Sequence, residues 1–443
     1  MLLSMDEFRA FEPKKTTYAL FGWPLGHTMS PELHAQLFEV SGQDADYIGV
    51  AVPPEDLPEA FELAKRKLGG INCTIPHKKA VIPLLDEIDT AARDLHSVNT
   101  VRFADGKATG FNTDILGFAE SLNRDGVSLQ GKKVLLLGYG GAASVMAYHC
   151  VTQGAYLTIT GRNLEKAEAL QKQLTDAVPG ARISVFSRRH IPRDIHIVLN
   201  STPVGMYPNA GVSALDITSM PGLEAVIDVI YNPDKTELIL RAEELGVPVA
   251  VGGLEMLVAQ AVYAAEFFLD RKFEDAGAEI ARVTSELRRE QLNIALIGMP
   301  SSGKSTLGRA LAERLGKRFV DLDEEIVKAD GRSIPDIFAA EGEAGFRKLE
   351  AAQTARFARE NRQVISCGGG VVKDPANLRA LHANGIVLFI DRPLEDLLVG
   401  GGRPLSTSPE ALKTMEAQRR PLYLAAADAV TAAMEALDEI FSH

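Results

Sequence analysis

The sequence of 443 residues contains little cysteine, a single tryptophan and no long apolar run. Its three cysteines, Cys73, Cys150 and Cys367, lie far apart without a C-x-x-C pair, which excludes a disulfide framework and a structural zinc site. No apolar stretch approaches the ~18 residues of a membrane span. Asp6 and Glu7 also interrupt the segment in which a signal peptide needs apolar residues. These absences predict a cytoplasmic protein.

Basic residues are outnumbered by acidic ones. With 59 acidic and 47 basic residues, the formal net charge is −12, which argues against nucleic acid and anionic membrane surfaces as partners. Apolar residues make up 46% and charged residues 24%, a globular balance that excludes disorder. The length suggests about three domains. We therefore expect a globular protein with small-molecule partners.

Short β-branched runs alternate with helical patterns from end to end, which predicts an α/β fold with parallel sheets. In the first set of alternations, Ser30-Pro31 is predicted to begin a helix, with Ser30 as its N-cap. Asp105-Gly106 is typical of a hairpin turn between two strands. A second set runs from Lys133 to about residue 251, and a third begins at Asn293. The charge-rich residues before Asn293 predict a solvated helical linker, or equally one more surface helix.

A glycine turn joins an apolar strand to a helix at residues 134–143. Gly138 and Gly140 permit the tight turn and the approach of backbone N–H groups to a pyrophosphate, and the helix N-terminus adds partial positive charge. The pattern predicts a dinucleotide site, although an ordinary tight turn would have the same glycines. Its predicted contacts are Gly138, Gly140, Gly141, Ala142 and Ala143.

The end of the next strand distinguishes the two nicotinamide cofactors. NAD enzymes place an acidic residue there, which binds the ribose hydroxyls. This sequence has Arg162 and Asn163 instead, with Lys166 one helical turn later. Two cations suit a 2′-phosphate, so the pattern favours NADP(H), although Arg162 alone would also fit a solvated surface.

Polar side chains follow several strands of the first set, in residues 22–31, 72–78, 97–100 and 110–114. Small hydroxyl and amide groups at strand ends suit a site that binds a polyol. Lys78 and Asp114 are the titratable members. A lysine paired with an aspartate can hold and protonate a carbonyl oxygen as hydride arrives. Taken singly, Lys78 also fits a cation at a helix start, and Asn99 fits a turn.

These motifs resemble the shikimate dehydrogenase family over roughly residues 17–270. G-x-P-x-x-H-[ST]-x-S-P, N-x-T-x-P-x-K, V-N-T and G-x-N-T-D occur in that order. The resemblance implies that Lys78 and Asp114 form the catalytic dyad. It implies a substrate set of Thr28, Ser30, Asn72, Thr74, Asn99 and Gln260. It also implies that the nicotinamide end is lined by Thr202, Met206, Ile230 and Gly253. The family usually has serine where Thr28 stands, which leaves quinate as an alternative substrate.

Residues 298–306 match G-x-x-x-x-G-K-[ST] in full, after an apolar strand and before a helical pattern. In such a P-loop, backbone N–H groups cradle phosphates, Lys304 reaches the β and γ oxygens, and Ser305 binds Mg²⁺. The motif predicts an ATP site. Its expected contacts are Gly298, Ser301, Ser302, Gly303, Lys304, Ser305 and Thr306.

The residues after the P-loop resemble the shikimate kinase family as far as about residue 428. Asp321 and Asp323 form a D-x-D pair at a strand end, which also fits a helix cap. The resemblance implies that Asp321 assists Mg²⁺ and that Asp323 deprotonates the 3-hydroxyl of shikimate. It implies that Arg403 closes over the phosphates. The implied substrate contacts are Arg347, Gly368, Gly369, Gly370 and Arg419.

Together the two resemblances imply consecutive reactions, in which NADPH reduces 3-dehydroshikimate to shikimate and ATP then phosphorylates shikimate. The expected layout is a substrate lobe at 1–114 with returning helices at about 253–280, an NADP lobe at 115–252, a linker at 281–292 and a kinase domain at 293–443. Glycines at 400–402 and a short alanine-rich tail depart from the kinase pattern. They leave open a kinase half that only binds ligand.

Overall fold

A computed structural model describes residues 1–26, 28–397 and 408–431, and the chain divides into two compact units. The first unit comprises residues 1–203, 214–231 and 241–285. The second comprises residues 204–213, 232–240 and those from 286 onward. Among the helices of the described residues, none has the length and apolar character that a membrane span requires.

The first sheet of the first unit has seven strands in the order β1-β3-β2-β4-β6-β7-β5. The central strands β2 and β3 pair in parallel and are buried on both faces, as their apolar sequences indicate. Its elements are β1 (Leu2–Leu3), α1 (Met5–Ala10), β2 (Thr16–Gly22), α2 (Ser30–Val40), β3 (Ala45–Ala51), α3 (Leu57–Lys67), β4 (Gly70–Cys73), α4 (His77–Ala80), β5 (Glu87–Ile88), α5 (Thr90–Leu95), β6 (Thr100–Ala104), β7 (Lys107–Phe111) and α6 (Thr113–Arg124).

Two local predictions can be compared with this part of the chain. The hairpin prediction is confirmed, because β6 and β7 pair antiparallel across Asp105 and Gly106, both with positive φ. The predicted N-cap is wrong by one residue. Met29 is the N-cap of α2, and Ser30 and Pro31 are the first two residues of the helix.

The second sheet has six parallel strands in the order β10-β9-β8-β11-β12-β13. The strand order reverses between β8 and β11, so a crevice opens at their carboxyl ends. The last helix of this set, α10, packs against α6 and α2. The elements are β8 (Lys133–Leu137), α7 (Gly141–Thr152), β9 (Tyr156–Thr160), α8 (Leu164–Ala177), β10 (Arg182–Val185), β11 (Ile197–Asn200), β12 (Ala225–Asp228), α9 (Glu237–Glu244), β13 (Val249–Val251) and α10 (Leu254–Leu269).

The sheet of the second unit has five parallel strands in the order β15-β16-β14-β17-β18. The helix α14 is interrupted at Gly342, whose φ is 69°. The elements are α11 (Ala276–Gln291), β14 (Asn293–Ile297), α12 (Lys304–Leu315), β15 (Arg318–Asp321), α13 (Leu322–Asp330), α14 (Ile334–Ala358), β16 (Gln363–Ser366), α15 (Pro375–Ala383), β17 (Gly385–Ile390), α16 (Pro409–Ala426) and β18 (Ala429–Thr431). These three sheets confirm the α/β prediction.

The segment expected to be a solvated helical linker, or equally one more surface helix, is a helix with one buried face. It belongs to α11, which runs from the first unit into the second. Ile280, Val283 and Leu287 on this helix are fully buried. Their spacing of three and four residues forms an apolar stripe that needs a protein surface to cover it. The high charge of the segment concealed this stripe.

Candidate active sites

A cavity of about 600 Å³ lies in the first unit where β2 and β4 end. Strand β4 delivers Asn72 and the residues that follow it, while α6 and α10 supply residues from the other side. The cavity brings together all eight side chains predicted for substrate and catalysis. They are Thr28, Ser30, Asn72, Thr74, Lys78, Asn99, Asp114 and Gln260.

Lys78 and Asp114 form an ion pair inside this cavity. Lys78 lies on the short helix α4, and Asp114 lies in the first turn of α6, where a carboxylate is favoured by the helix dipole. Lys78 Nζ lies 2.6 Å from Asp114 Oδ2, and the two side chains are 30% and 18% exposed. Because both groups remain partly open to the cavity, a proton can pass between them and a bound carbonyl or hydroxyl oxygen.

The hydroxyl and amide groups of the site are held by local hydrogen bonds. Thr28 Oγ1 donates to Ser30 Oγ at 3.2 Å and accepts the Ser30 backbone N–H at 3.3 Å. Gln260 Nε2 donates to the backbone oxygen of Leu257 on the same helix at 2.8 Å. These bonds fix the side chains before any ligand binds, which lowers the entropy cost of recognition.

The predicted pyrophosphate turn is built as the glycines require. Gly138 has φ 116°, and a β-carbon there would overlap Ser201 Oγ. Gly140 is the N-cap of α7, and a β-carbon on Gly140 or Gly141 would meet no described atom within 4 Å. The helix N-terminus is therefore open to an anion. Of the two alanines that follow, Ala142 lines the substrate cavity and Ala143 is buried.

The residues predicted to bind the 2′-phosphate follow β9. Arg162 and Lys166 are both exposed, so their cationic groups are accessible to a dianion. The Asn163 side chain has a structural contact instead: its Oδ1 caps α8 by accepting the Lys166 backbone N–H at 3.0 Å. The Tyr139 ring packs against Gly161, where a β-carbon would lie 2.5 Å from the ring. Arg162 and Lys166, rather than the Asn163 side-chain oxygen, are therefore the groups that suit the 2′-phosphate of NADP.

The four residues expected at the nicotinamide end have different surroundings. Gly253 lines the cavity, and a β-carbon there would overlap the backbone oxygen of Val229. Thr202 Oγ1 donates to Asn200 Oδ1 at 2.7 Å. Met206 is 45% exposed and belongs to the segment 204–213 of the second unit.

Ile230, the fourth of these residues, has a buried side chain. Its side chain is only 4% exposed, while its neighbours Val229 and Tyr231 line the cavity. The placement of Ile230 at the nicotinamide end stays a prediction. Tyr231 and the buried His34 also line the cavity, and the sequence analysis assigned neither of them to the site.

The second unit contains a cavity of about 580 Å³ beside the P-loop. Its lining includes both members of the D-x-D pair and all five predicted substrate contacts. The predicted residues in the lining are Ser301, Ser302, Gly303, Lys304, Ser305, Thr306, Asp321, Asp323, Arg347, Gly368, Gly369, Gly370 and Arg419. Gly298 lies at the base of the loop outside this lining. Arg403 lies outside the described residues, as do the glycines at 400–402 and the tail from 432.

The P-loop adopts a conformation that suits phosphate binding. Ser301 and Gly303 have φ 66° and 86°, which turns successive backbone N–H groups towards one concavity. Lys304 Nζ donates to the backbone oxygens of Gly298 and Met299 at 2.9 and 2.8 Å. The ammonium group is thus held at the loop that would receive the β and γ phosphates.

Two oxygen ligands suitable for Mg²⁺ meet at the start of α12 and α13. Ser305 Oγ donates to Asp321 Oδ2 at 2.6 Å, and Asp321 Oδ1 accepts the Asp323 backbone N–H at 3.1 Å. Across the described residues, no group of three or more histidine, cysteine, aspartate or glutamate side chains could hold a metal. The donor set fits a hard cation that completes its shell with phosphate oxygens and water.

The two predicted carboxylate-binding arginines are anchored differently. Arg347 Nη1 donates to Glu350 Oε2 at 2.6 Å, and its other nitrogens donate to Glu343 Oε1 at 3.1 and 3.3 Å. Burial alone would lower the pKa of Arg347, but these two carboxylates raise it. Arg419 is 7% exposed and donates to the Gly369 backbone oxygen at 2.9 Å. Both cations are therefore oriented before an anion arrives.

Glu350 is a residue of this cavity that the sequence analysis missed. Burial raises its pKa, against the opposing effect of Arg347. A β-carbon on Gly368 would lie 2.7 Å from Glu350 Oε1 and 3.0 Å from Asp323 Oδ1, so both carboxylates face this glycine. The one signal in the sequence is its position three residues after Arg347, a spacing that places two side chains together on a helix.

Three family models match this chain. The model described as the shikimate dehydrogenase substrate binding domain matches residues 20–101, and the shikimate / quinate 5-dehydrogenase model matches residues 120–204. The shikimate kinase model matches residues 300–443. The matches support an oxidoreductase and a kinase activity in one chain.

Individual relatives resemble the first part of the chain. A shikimate dehydrogenase (NADP(+)) of Carboxydothermus hydrogenoformans is 38% identical over 250 residues, covering 56% of this chain and 89% of that protein. A crystal structure of a shikimate dehydrogenase in complex with NADP+ has 30% identity and a TM-score of 0.58, covering 62% of this chain and 96% of that one. A chorismate mutase/shikimate 5-dehydrogenase fusion protein from Clostridium acetobutylicum has 32% identity and a TM-score of 0.57, covering 62% and 98%. The chain therefore belongs to the shikimate dehydrogenase family and carries a shikimate kinase domain.

Proposed function

We propose that this protein is a bifunctional enzyme that reduces 3-dehydroshikimate to shikimate with NADPH and then phosphorylates shikimate with ATP. The observation that carries the proposal is the presence, in one chain, of an ion-paired lysine in a cavity lined by hydroxyls and amides and of a P-loop cavity lined by anchored arginines. The product of the first reaction is the substrate of the second. Each site was inferred from its own residues, so the two inferences support each other.

In the reductase step, bound NADPH supplies hydride. Lys78 holds the substrate oxygen and delivers the proton that neutralises it, and Asp114 keeps the ammonium in place at 2.6 Å. Thr28 and Ser30 bind the carboxylate, and the amides of Asn99 and Gln260 bind hydroxyls. Arg162 and Lys166 provide the preference for the 2′-phosphate.

In the kinase step, ATP with Mg²⁺ supplies the phosphoryl group. Lys304 and the P-loop N–H groups orient the phosphates, and Ser305 with Asp321 would hold the cation. Asp323 accepts the proton of the attacking hydroxyl. Arg347 and Arg419 bind the substrate carboxylate, with Gly368, Gly369 and Gly370 allowing close approach of the ring.

The layout that accompanies this proposal has a substrate lobe at 1–114 with returning helices at about 253–280, an NADP lobe at 115–252 and a kinase domain at 293–443. Quinate is the second candidate substrate of the reductase, because Thr28 adds a methyl group beside the expected carboxylate position. A kinase half that only binds ligand is the second candidate for residues 293–443.

The test is an end-product assay by mass spectrometry with the full chain, 3-dehydroshikimate, NADPH, ATP and Mg²⁺ supplied together. Shikimate 3-phosphate is the expected product. Shikimate without its phosphate would support the ligand-binding alternative for the second half. Faster oxidation of quinate than of shikimate with NADP+ would favour the quinate alternative, and no product from 3-dehydroshikimate would overturn the proposal.

A further inference from the structure

A buried tyrosine stands behind the reductase cavity. Tyr47 lies on β3 and is 7% exposed, and its hydroxyl donates to Asn72 Oδ1 at 2.7 Å. Burial raises the pKa of Tyr47 well above its usual value of 10, so the hydroxyl keeps its proton and remains a donor. Tyr47 itself is not part of the cavity lining, whereas Asn72 is.

Tyr47 is the outer end of a chain of hydrogen bonds that reaches the site. Asn72 Nδ2 donates to the backbone oxygen of Asn99 at 3.0 Å and to Thr100 Oγ1 at 2.9 Å. Thr100 Oγ1 donates to Asn99 Oδ1 at 3.0 Å. Asn99 Oδ1 also accepts the backbone N–H of Thr113, which precedes Asp114, at 2.8 Å. All these groups are buried.

Two backbone groups determine the direction of every bond in this chain. The Thr113 N–H can only donate, so the Asn99 amide must present its oxygen to it. The Asn99 backbone oxygen can only accept, so the Asn72 amide must present its nitrogen there. Asn72 Oδ1 is then turned towards Tyr47, and only a hydroxyl donor satisfies it. A phenylalanine at this position would leave a buried acceptor without a donor.

We propose that Tyr47 is a positioning residue of the reductase site, which satisfies the buried Asn72 oxygen and so holds the Asn72 amide, and through Thr100 the Asn99 side chain, in the arrangement that these backbone groups select for substrate binding. The inference rests on the proposed reductase function and deepens it. Asn72 has both N–H groups and one oxygen lone pair engaged, so it offers the substrate an acceptor only. Asn99 has its oxygen engaged by protein donors and offers the substrate its amide N–H groups.

Aromatic packing holds the Tyr47 ring in place. The His34 ring stacks on it with centroids 4.2 Å apart and planes inclined by 5°. Burial lowers the pKa of His34 to about 3, so the stacked ring is neutral. With the ring immobilised between strand and helix, the hydroxyl can serve one acceptor position, and that position is Asn72.

The experiment compares Tyr47→Phe with Tyr18→Phe in the full chain. Tyr18 is a matched control, because it is buried on the neighbouring strand β2 and its hydroxyl donates to the Phe268 backbone oxygen at 3.2 Å, outside this chain of bonds. We expect Tyr47→Phe to raise the KM for 3-dehydroshikimate about tenfold, with kcat and the KM for NADPH changed less than about twofold. Tyr18→Phe should leave all three parameters within about twofold.

Thr100→Val is the second variant, because the fully buried Thr100 hydroxyl accepts from Asn72 Nδ2 and donates to Asn99 Oδ1, and so links the two amides. It should raise the same KM, and the double variant with Tyr47→Phe should show less than the product of the two single effects. Equal KM values for Tyr47→Phe and Tyr18→Phe, or independent effects in the double variant, would overturn the inference. A wild-type chain without reductase activity would instead overturn the proposed function.

Discussion

The two cavities have nearly the same volume, about 600 and 580 Å³, but they are built from different chemical groups. The reductase cavity is surrounded by amides and hydroxyls, with one ion pair between Lys78 and Asp114. The kinase cavity has two arginines, a lysine and three carboxylates. Arg347 pairs with Glu350, whereas Lys304 and Arg419 donate to backbone oxygens. A cavity suited to carbonyl and hydroxyl groups and a cavity suited to phosphates thus differ in charge rather than in size.

The difference follows from where charge develops in each reaction. Reduction of a carbonyl needs a single proton donor, and the remaining groups only distinguish hydroxyl positions. Phosphoryl transfer places several negative charges in one cavity, and fixed cations must balance them before reaction. The kinase cavity should therefore be the more sensitive of the two to the loss of a charge.

The largest effect is expected for Lys304→Ala. Removing the ammonium that the P-loop holds should lower kinase kcat on the order of 10³-fold, because it contacts the transferring phosphoryl group. Reduction of 3-dehydroshikimate by the same variant should be unchanged. Lys328→Ala, which removes an exposed lysine of the same unit, is the matched control. Kinase activity retained in Lys304→Ala would contradict the inference that the kinase cavity is the more sensitive of the two to the loss of a charge.

A smaller loss is expected for Lys78→Met. Removing the Lys78 ammonium, the proposed proton donor, should lower the reductase kcat on the order of 10²-fold, because general acid catalysis contributes less than charge stabilisation in the kinase. The neighbouring exposed Lys79 provides the control variant Lys79→Met. Kinase rates with added shikimate should match those of the wild type. An equal loss of reductase kcat in Lys78→Met and Lys79→Met would show that the substitutions disturb the folding of this segment instead.

Both sites were predictable where chemistry follows the end of a strand. Parallel strands place their carboxyl ends at one edge, so polar residues after β2 and β4 had to meet. The P-loop was predictable from local spacing alone, because its conformation depends on a few consecutive residues. Helix boundaries deviated by a residue, as at Met29, because a side-chain cap is only one of several ways to begin a helix.

Residues that act through another residue were not predictable. Tyr47 reads as an ordinary strand tyrosine until tertiary packing places its hydroxyl on Asn72. Tyr231 follows Ile230 after β12 and lines the cavity, although no motif singled it out. The buried face of α11 was missed because charged residues outnumber the apolar ones that carry its packing. In each case the deciding fact is a direction in space that spacing alone does not fix.

Arg162→Ala should produce a moderate effect that extends the comparison to the cofactor. Besides the Lys78–Asp114 ion pair, the charges expected on the reductase side are the cations for a 2′-phosphate. The KM for NADPH should therefore rise about tenfold while the KM for NADH stays constant. Lys172→Ala removes an exposed cation from α8 without touching its N-terminus and should change neither value. A parallel rise for both cofactors would indicate that Arg162 contacts the adenine or pyrophosphate rather than the extra phosphate.

The smallest effect concerns stability and tests whether the buried His34 of the reductase cavity is uncharged. His34 is 1% exposed, and burial lowers its pKa from 6.5 to about 3. Between these values the unfolded chain binds a proton that the folded chain does not, so stability falls as pH falls below 6.5. From pH 6.5 to 5 the free energy of unfolding should drop by about 2 kcal/mol through this group.

The variant His34→Phe, which retains a ring against Tyr47, should show a smaller drop in urea titrations that follow the unfolding of the first unit. His190→Phe, at an exposed position, should retain the wild-type drop. Equal pH dependence in wild type and His34→Phe would mean that the cavity accommodates a charged imidazole, and the contrast with the kinase cavity would then be weaker than the structure indicates.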